Sequence, residues 1–313
     1  MSTVNADGHG FEKTLPARRF VRYQRQHVLL VNVLPLIGTL IAFALLPWYP
    51  PTPATLIALV VLWPLTLGVG GSVGFHRCFT HRSFECARPV KLILAIFGTI
   101  GGQGPVASWV ATHRRHHDCS DDVGDPHSPV TEAQGGLAKL RAFWHSHCGW
   151  MVEHDMPNPL FYTPDILKDS DLMWFSRHYY RVMLVGLFVP VALLVAFDPS
   201  WQTVWLGLLW TGAVRLTLTS QFIWAINSVC HFVGYRRYHT SDESRNVALI
   251  CVPTCGESWH NNHHAFPTSA RFGLRWWQFD FGWLVIRLLQ FCGLAWNVKV
   301  PAADKIVGGP DAS

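Results

Sequence analysis

The sequence predicts an all-α integral membrane protein: four transmembrane helices in two hairpins, with a cytoplasmic helical cap holding a histidine-rich dinuclear metal site. Three observations carry this prediction. Half of the 313 residues are hydrophobic and 14% are charged, against about 25% charged in soluble domains. Four long stretches have little or no charge. Nine of the 17 histidines crowd into four short segments.

A bilayer span needs about 20 mostly apolar residues. Residues 28–46 and 54–75 are uncharged and give the first hairpin. Residues 179–197 and 201–226 give the second, with Arg215 at depth, either buried and hydrogen-bonded or tilted toward an interface. The linkers, 47–53 and 198–200, are short and carry proline. Lys13, Arg18, Arg19, Arg22 and Arg25 precede the first span, and neither linker has a Lys or Arg. The positive-inside rule then puts both termini in the cytoplasm. Residues 92–110 and 281–296 read as helices lying in or dipping into the cytoplasmic interface. From Trp201 to His231 a helix rises roughly 45 Å, more than the hydrocarbon core of about 30 Å, so His231 stands in the cap.

Composition also excludes. The chain is too apolar for disorder. A net charge of +5 without a long basic run argues against nucleic acid as a partner. The eight cysteines are scattered, which argues against a disulfide framework or a zinc ribbon. The polar start up to about Gln26 shows no cleavable leader. The 15 tryptophans suit a membrane–water interface.

The histidines ask for a chemical explanation. His76 and His81 follow the second span. His113, His116 and His117 form one H-x-x-H-H run, and His260, His263 and His264 form another. His231 lies four residues after Asn227. Residues at i, i+3 and i+4 share a helix face, so each run can aim three imidazoles at one place. Neutral imidazole is the commonest ligand for first-row transition metals. Nine nitrogens suit two ions with four or five ligands each. Glu257-Ser258-Trp259-His260 is a single Glu-x-x-His and not the pair on two helices that carboxylate-bridged di-iron bundles use, and imidazole alone admits zinc, copper, iron or nickel. All four segments fall on one side of the membrane only if residues 92–110 do not span.

These residues resemble the membrane fatty-acid desaturases, specifically the stearoyl-CoA (delta-9) type and its bacterial acyl-lipid relatives. The resemblance runs from about Gly68 to about Trp296. It includes His76-x-x-x-x-His81 with Arg82-Ser83-Phe84, the run His113–His117 followed by Ser120-Asp121 and Asp125-Pro126-His127, and Ser146-His147-Cys148-Gly149-Trp150. It continues through Asn227-Ser228-Val229-Cys230-His231 and Gly256-Glu257 into His260–His264. The resemblance implies one desaturase domain over 28–300, between a cytoplasmic arm (1–27) and a tail (301–313). It implies a non-haem centre of two iron ions that uses O2, held by His76, His81, His113, His116, His117, His231, His260, His263 and His264, with Asn227 acting through a water. The implied reaction inserts a cis double bond, at delta-9, into a saturated acyl chain linked to CoA, lipid or a carrier protein. Electrons would come from ferredoxin, or from cytochrome b5 with its reductase, since the chain shows no second redox module. The implied location is a bacterial inner membrane or the endoplasmic reticulum.

Gln103, Trp109, Ile223 and Trp224 match the positions that shape the family's bent substrate tunnel. Ile223 replaces the usual Thr, which removes a polar contact at the bend. Ala111 and Thr112 replace the Arg-Asp that helps the animal enzymes hold CoA, which favours a lipid- or carrier-linked chain. Arg114 and Arg115 are candidates for contact with anionic groups or a donor protein, Asp121 and Asp125 for orienting ligand imidazoles, and His147 for the head-group site. The competing readings are an acyl hydroxylase or oxidase on the same scaffold, and a membrane metal-binding or transport protein.

Overall fold

The computed structural model describes residues 12–128 and 135–307. Residues 1–11 of the expected arm and 308–313 of the expected tail lie outside the described residues. Helix dominates. Strand is limited, among the described residues, to four two-residue pieces in two antiparallel pairs: β1 (Thr14–Leu15) with β3 (Met156–Pro157), and β2 (Glu85–Cys86) with β4 (Ala295–Trp296).

Helix α1 (Val21–Ala44) and helix α2 (Pro53–Thr80) form the first hairpin. Thr52 caps α2, its hydroxyl accepting from the Thr55 amide at 3.2 Å, and Pro53 sits where a missing N–H is harmless. The winding of α2 loosens from Pro64 to Thr80, where hydrogen bonds span five residues instead of four. Pro64 has no N–H to give to the turn behind it, which is where the ordinary ladder breaks.

Helix α3 (Arg88–Ile100) and helix α4 (Val106–Asp118) replace the single helix expected over 92–110. Pro105 and two glycines at positive φ, Gly102 at 77° and Gly104 at 103°, turn the chain between them. Helix α5 (Gly136–His147) follows. Helix α6 (Tyr179–Phe197) and α7 (201–232) form the second hairpin. Ser200 caps α7, accepting from the Thr203 amide at 3.1 Å. Short α8 (His260–Ala265) carries the last histidines. Helix α9 (Phe281–Phe291) stops short of the 296 expected, because Ala295–Trp296 pairs as a strand with Glu85–Cys86.

Among the described residues, three helices, α1, α2 and α6, are long and apolar enough to cross a membrane. Helix α7 is as long, but Thr211, Arg215, Thr219 and Ser220 dilute its apolar run. These groups turn inward. The hydroxyls of Thr211 and Thr219 bond to carbonyls four residues back at 2.8 Å each. Arg215 is buried, giving Nε to the Thr211 carbonyl at 2.7 Å and Nη1 to the Ile100 carbonyl at 2.8 Å.

The core under the histidines is where α2 and α3 cross. Val73, Phe75, Phe79, Leu94 and Ala95 pack there with Val106 and Val110 of α4. The crossing is close because both helices present glycine. A Cβ on Gly70 would lie 2.1 Å from the Gly98 nitrogen, and one on Gly98 would lie 2.2 Å from the Phe75 ring. No rotamer change relieves a clash with backbone. Gly70→Ala is therefore expected to destabilise by the upper end of the about 1–3 kcal/mol typical of overpacking, read as a fall in thermal midpoint in detergent. An unchanged midpoint would show that the helices can separate freely here.

Candidate metal centre

The nine predicted imidazoles meet in the fold as two adjacent groups. His76, His81, His113, His117 and His263 form one, and His116, His231, His260 and His264 the other. Within each group the ligand nitrogens lie within 4.8 Å of one another. Each H-x-x-H-H run is thus divided, whereas the spacing suggested one target per run. The pair at i and i+4 goes to one group and the remaining histidine to its neighbour. On a helix, i+3 and i+4 fall on opposite sides of i by about 60° and 40°, so each run straddles the boundary between two sites.

His76 and His81 needed the loosened winding of α2. At 3.6 residues per turn, residues five apart point about 140° away from each other. Here the His81 amide donates to the His76 carbonyl at 3.1 Å, closing a five-residue turn that brings both rings to one side. Their centroids are 4.9 Å apart.

Carboxylates hold four of the rings from behind. Asp125 Oδ2 lies 2.9 Å from His116 Nδ1, Asp121 Oδ2 2.7 Å from His231 Nδ1, and Asp242 Oδ2 2.6 Å from His264 Nδ1. Glu257 holds His76 Nδ1 in the same way. An ionised carboxylate only accepts, so each of these Nδ1 atoms carries the proton and each Nε2 is left bare. Asp121 makes its bond from a left-handed backbone, φ 60°, which aspartate tolerates. Glu257 is itself bound by Ser72 and, at 3.1 Å, by fully buried Arg77. Arg77 reaches on to Asp280 at 2.8 Å, and Asp280 accepts from the Phe272 and Gly273 amides and caps α9 through the Trp283 amide.

This donor set fits metal cations. His116 Nε2 and His264 Nε2 are buried and have no hydrogen-bond partner among the described residues. Both belong to the group of four, in which His231 Nε2 lies 3.0 Å from His260 Nε2. In the group of five, His76 Nε2 lies 3.0 Å from His263 Nε2, which lies 2.9 Å from His117 Nε2. Two nitrogens bound at about 2.1 Å to one cation lie about 3.0 Å apart when at right angles. Burial, reinforced by the neighbouring imidazoles, pushes the pKa of His81, His113, His117, His260 and His263 well below the ordinary range. Burial also pulls His264 down to about 4 despite Asp242. These six rings are therefore neutral ligands at physiological pH, whereas for His116 the nearby carboxylates, Asp125 foremost, outweigh burial and raise the pKa.

A narrow cavity of about 130 Å³ reaches this centre. Gln103, Trp109, Ile223 and Trp224 all line it, and Asn227 lines it beside His113. Ile223 removes one polar contact, but Gln103 Nε2 finds a hydroxyl one turn away, donating to Ser220 Oγ at 3.2 Å.

Other expectations change. Arg114 and Arg115 do not face outward. Arg114 bonds Asp165 at 2.7 Å and the Phe79, Thr80 and Tyr162 carbonyls; buried Arg115 bonds the Asp155 carbonyl at 2.6 Å. His147 is locked between Ser228 and Gln221, at 2.9 and 3.1 Å, and is not among the cavity's lining. His127 and His154 are. Sequence reasoning assigned no role to Asp242 or Glu257. Glu257 was flagged only by its place beside the last histidines, and Asp242 sits in a loop with no helical spacing to any of them.

The chain is similar to known proteins over most of its length. The family model for the fatty acid desaturase domain matches residues 54–293. The chain is 45% identical over 285 residues to the hex-5-enoyl-[acyl-carrier protein] acetylenase of Moorena producens (strain JHB), covering 90% of this chain and 88% of that protein. It is 37% identical over 282 residues to the sn-1 stearoyl-lipid 9-desaturase of Anabaena variabilis, covering 88% and 94%. It is 35% identical over 254 residues to delta-9 acyl-lipid desaturase 1 of Arabidopsis thaliana, covering 81% and 77%.

Two outcomes follow from the geometry. Asp242→Asn should weaken metal retention about 10–100-fold, measured as metal content against chelator concentration; equal retention would make Asp242 a purely structural loop residue. Burial works to raise the Asp165 carboxyl, but Arg114 and Arg82 outweigh it and hold it near about 2. A depressed carboxylate stabilises above its unfolded value and loses that contribution as pH falls through the folded one. In metal-free protein, the stability gap between wild type and Asp165→Asn should therefore narrow from about pH 4 to about pH 2. A gap that stays constant over that window would remove the ion pair as its cause.

Proposed function

We propose that this chain, which belongs to the fatty acid desaturase family, is an oxygen-dependent acyl desaturase that introduces a cis double bond. The single observation that carries the reading is the division of nine imidazoles into groups of five and four at the side of a cavity. Two iron ions would fit here, with His76, His81, His113, His117 and His263 to hold one and His116, His231, His260 and His264 to hold the other, and Asn227 would hold a water beside them. When bound, the iron pair supplies activation of O2 and abstraction of hydrogen from an unactivated methylene.

The protein's own residues do the rest. Asp121, Asp125, Asp242 and Glu257 keep the four imidazoles they touch in one tautomer and one orientation. Trp109, stacked on His113 with centroids 5.1 Å apart, and Trp224 confine the chain so that one pair of carbons meets the centre. Adjacent methylenes are chemically alike, so position selects between them. The balance is one saturated chain, O2, two electrons and two protons giving one olefin and two waters. The electrons come from a separate ferredoxin or from cytochrome b5 with its reductase.

Four spans, with α7 as the fourth, and a cytoplasmic cap and termini complete the proposed placement. The exposed arginines before α1 support this sidedness. The sequence expectation of delta-9 is shared with the names of the two acyl-lipid relatives, while the acyl-carrier name of the 45% identical relative supports a carrier-linked substrate. Ala111, buried on α4, and Thr112, lining the cavity, supply no charge for CoA there.

The test is the fatty-acid profile of an aerated host lacking its own aerobic desaturase. The intact protein is expected to yield a new monounsaturated acid, and His263→Ala, at equal membrane level, to yield none. A hydroxylated acid instead would make the enzyme a hydroxylase. Fewer than about two iron ions per purified chain would remove the di-iron assignment.

A further inference from the structure

The cavity runs in one direction, from the level of the histidines into the helix bundle. On α1 its wall passes from Gln24 to Asn32, and on α7 from Asn227 to Ile223. At the inner end Asn32 and Gln103 line it, and Ser220, buried beside them, ties the two together. Gln103 Nε2 donates to Ser220 Oγ at 3.2 Å, and the Ser220 hydroxyl donates to Asn32 Oδ1 at 3.4 Å. The packing around this layer is tight. Gly102 holds φ 77°, and a Cβ there would meet Leu216 at 2.9 Å and Val31 at 3.0 Å. Deeper still, Arg215 is spent on the Ile100 carbonyl.

Asn32 is out of place for a spanning helix, since its neighbours from Val28 to Val33 are all apolar. Its Nδ2 is buried and has no hydrogen-bond partner among the described residues. A methyl terminus pressed against this layer would keep that amide desolvated and force the Gln103–Ser220 bond apart. The distances are short. From Asn227 to Ile223 is about 6 Å along α7, and to Ser220 about 10 Å. A chain laid past His113 meets the polar floor after a few methylenes.

We infer that Asn32 and Gln103, bridged by Ser220, are specificity-determining residues that close the acyl slot, so that the substrate, on the desaturase reading above, is a chain with a short tail beyond the reacting carbons, which for a bond at delta-9 means fewer than sixteen carbons in all. Longer chains are excluded by the floor, and the reacting bond lies near the methyl end.

The experiment is equilibrium binding of saturated acyl N-acetylcysteamine thioesters, from six to eighteen carbons, to the full-length metal-loaded protein in detergent. Affinity should rise with length, then drop about tenfold or more before sixteen carbons. The double variant Asn32→Ala/Ser220→Ala should move that limit two or more carbons longer. Ile223→Phe, which adds bulk above the floor, should move it shorter and guards against a double variant that fails to fold. Affinity still rising through sixteen and eighteen carbons in the intact protein would overturn the inference, as would a limit that neither variant moves. Product analysis separates the two readings: a sharp length limit with no olefin from any chain sinks the desaturase assignment alone, and equal olefin yield from every length sinks the closed slot alone.

Discussion

Everything at the centre depends on four carboxylates placed behind four imidazoles. Each fixes a proton on Nδ1 and so leaves a bare Nε2 pointing inward. Without them the rings would be free to rotate and to exchange tautomers, and nine histidines would not define a site. Glu257 shows how far the arrangement reaches. It is anchored on buried Arg77, Arg77 is anchored on Asp280, and Asp280 starts α9. Burying such charges is tolerable only when every one is paired. The orientation of His76 is thereby joined to the packing of α9 and of the chain before it.

The bundle meets the same requirement in apolar surroundings. Polar groups inside α2 and α7 are satisfied locally or across to a neighbour, as Arg215 is on the Ile100 carbonyl. The loosened winding of α2 and the glycine crossing with α3 serve one purpose: they bring His76, His81 and α4 to the same depth. A regular α2 would turn His81 away from the centre, and a Cβ at the crossing would push α3 outward and carry α4 with it.

The cavity combines these features. Its outer part runs beside the imidazoles, where Trp109 stacks on His113. Its inner part ends on amide and hydroxyl groups rather than on aliphatic side chains. An apolar chain entering it would meet apolar side walls and a polar inner end, with Gln103 at that end.

Much was legible from composition and spacing. Length and polarity of apolar runs located the two hairpins, because a chain crossing lipid must satisfy its backbone within each segment. Clustering of histidines located the metal site, because no structural role needs nine of them within four segments. The motifs around them carried the family resemblance. Spacing did not assign His116 and His263 to their groups, because each lies on the same turn as ligands of the other group and only the packing of α4 against α8 divides them. It did not show that Asp242 and Glu257 are anchors, that Arg114 and Arg115 are internal ties, or that 92–110 is broken in two. The local sequence determined which groups were available for chemistry and which segments could lie in lipid. Which nitrogen faces which partner, and where the cavity stops, was decided only by the tertiary structure, because both depend on contacts such as Gln103–Ser220 and His264–Asp242 between residues that no local periodicity connects.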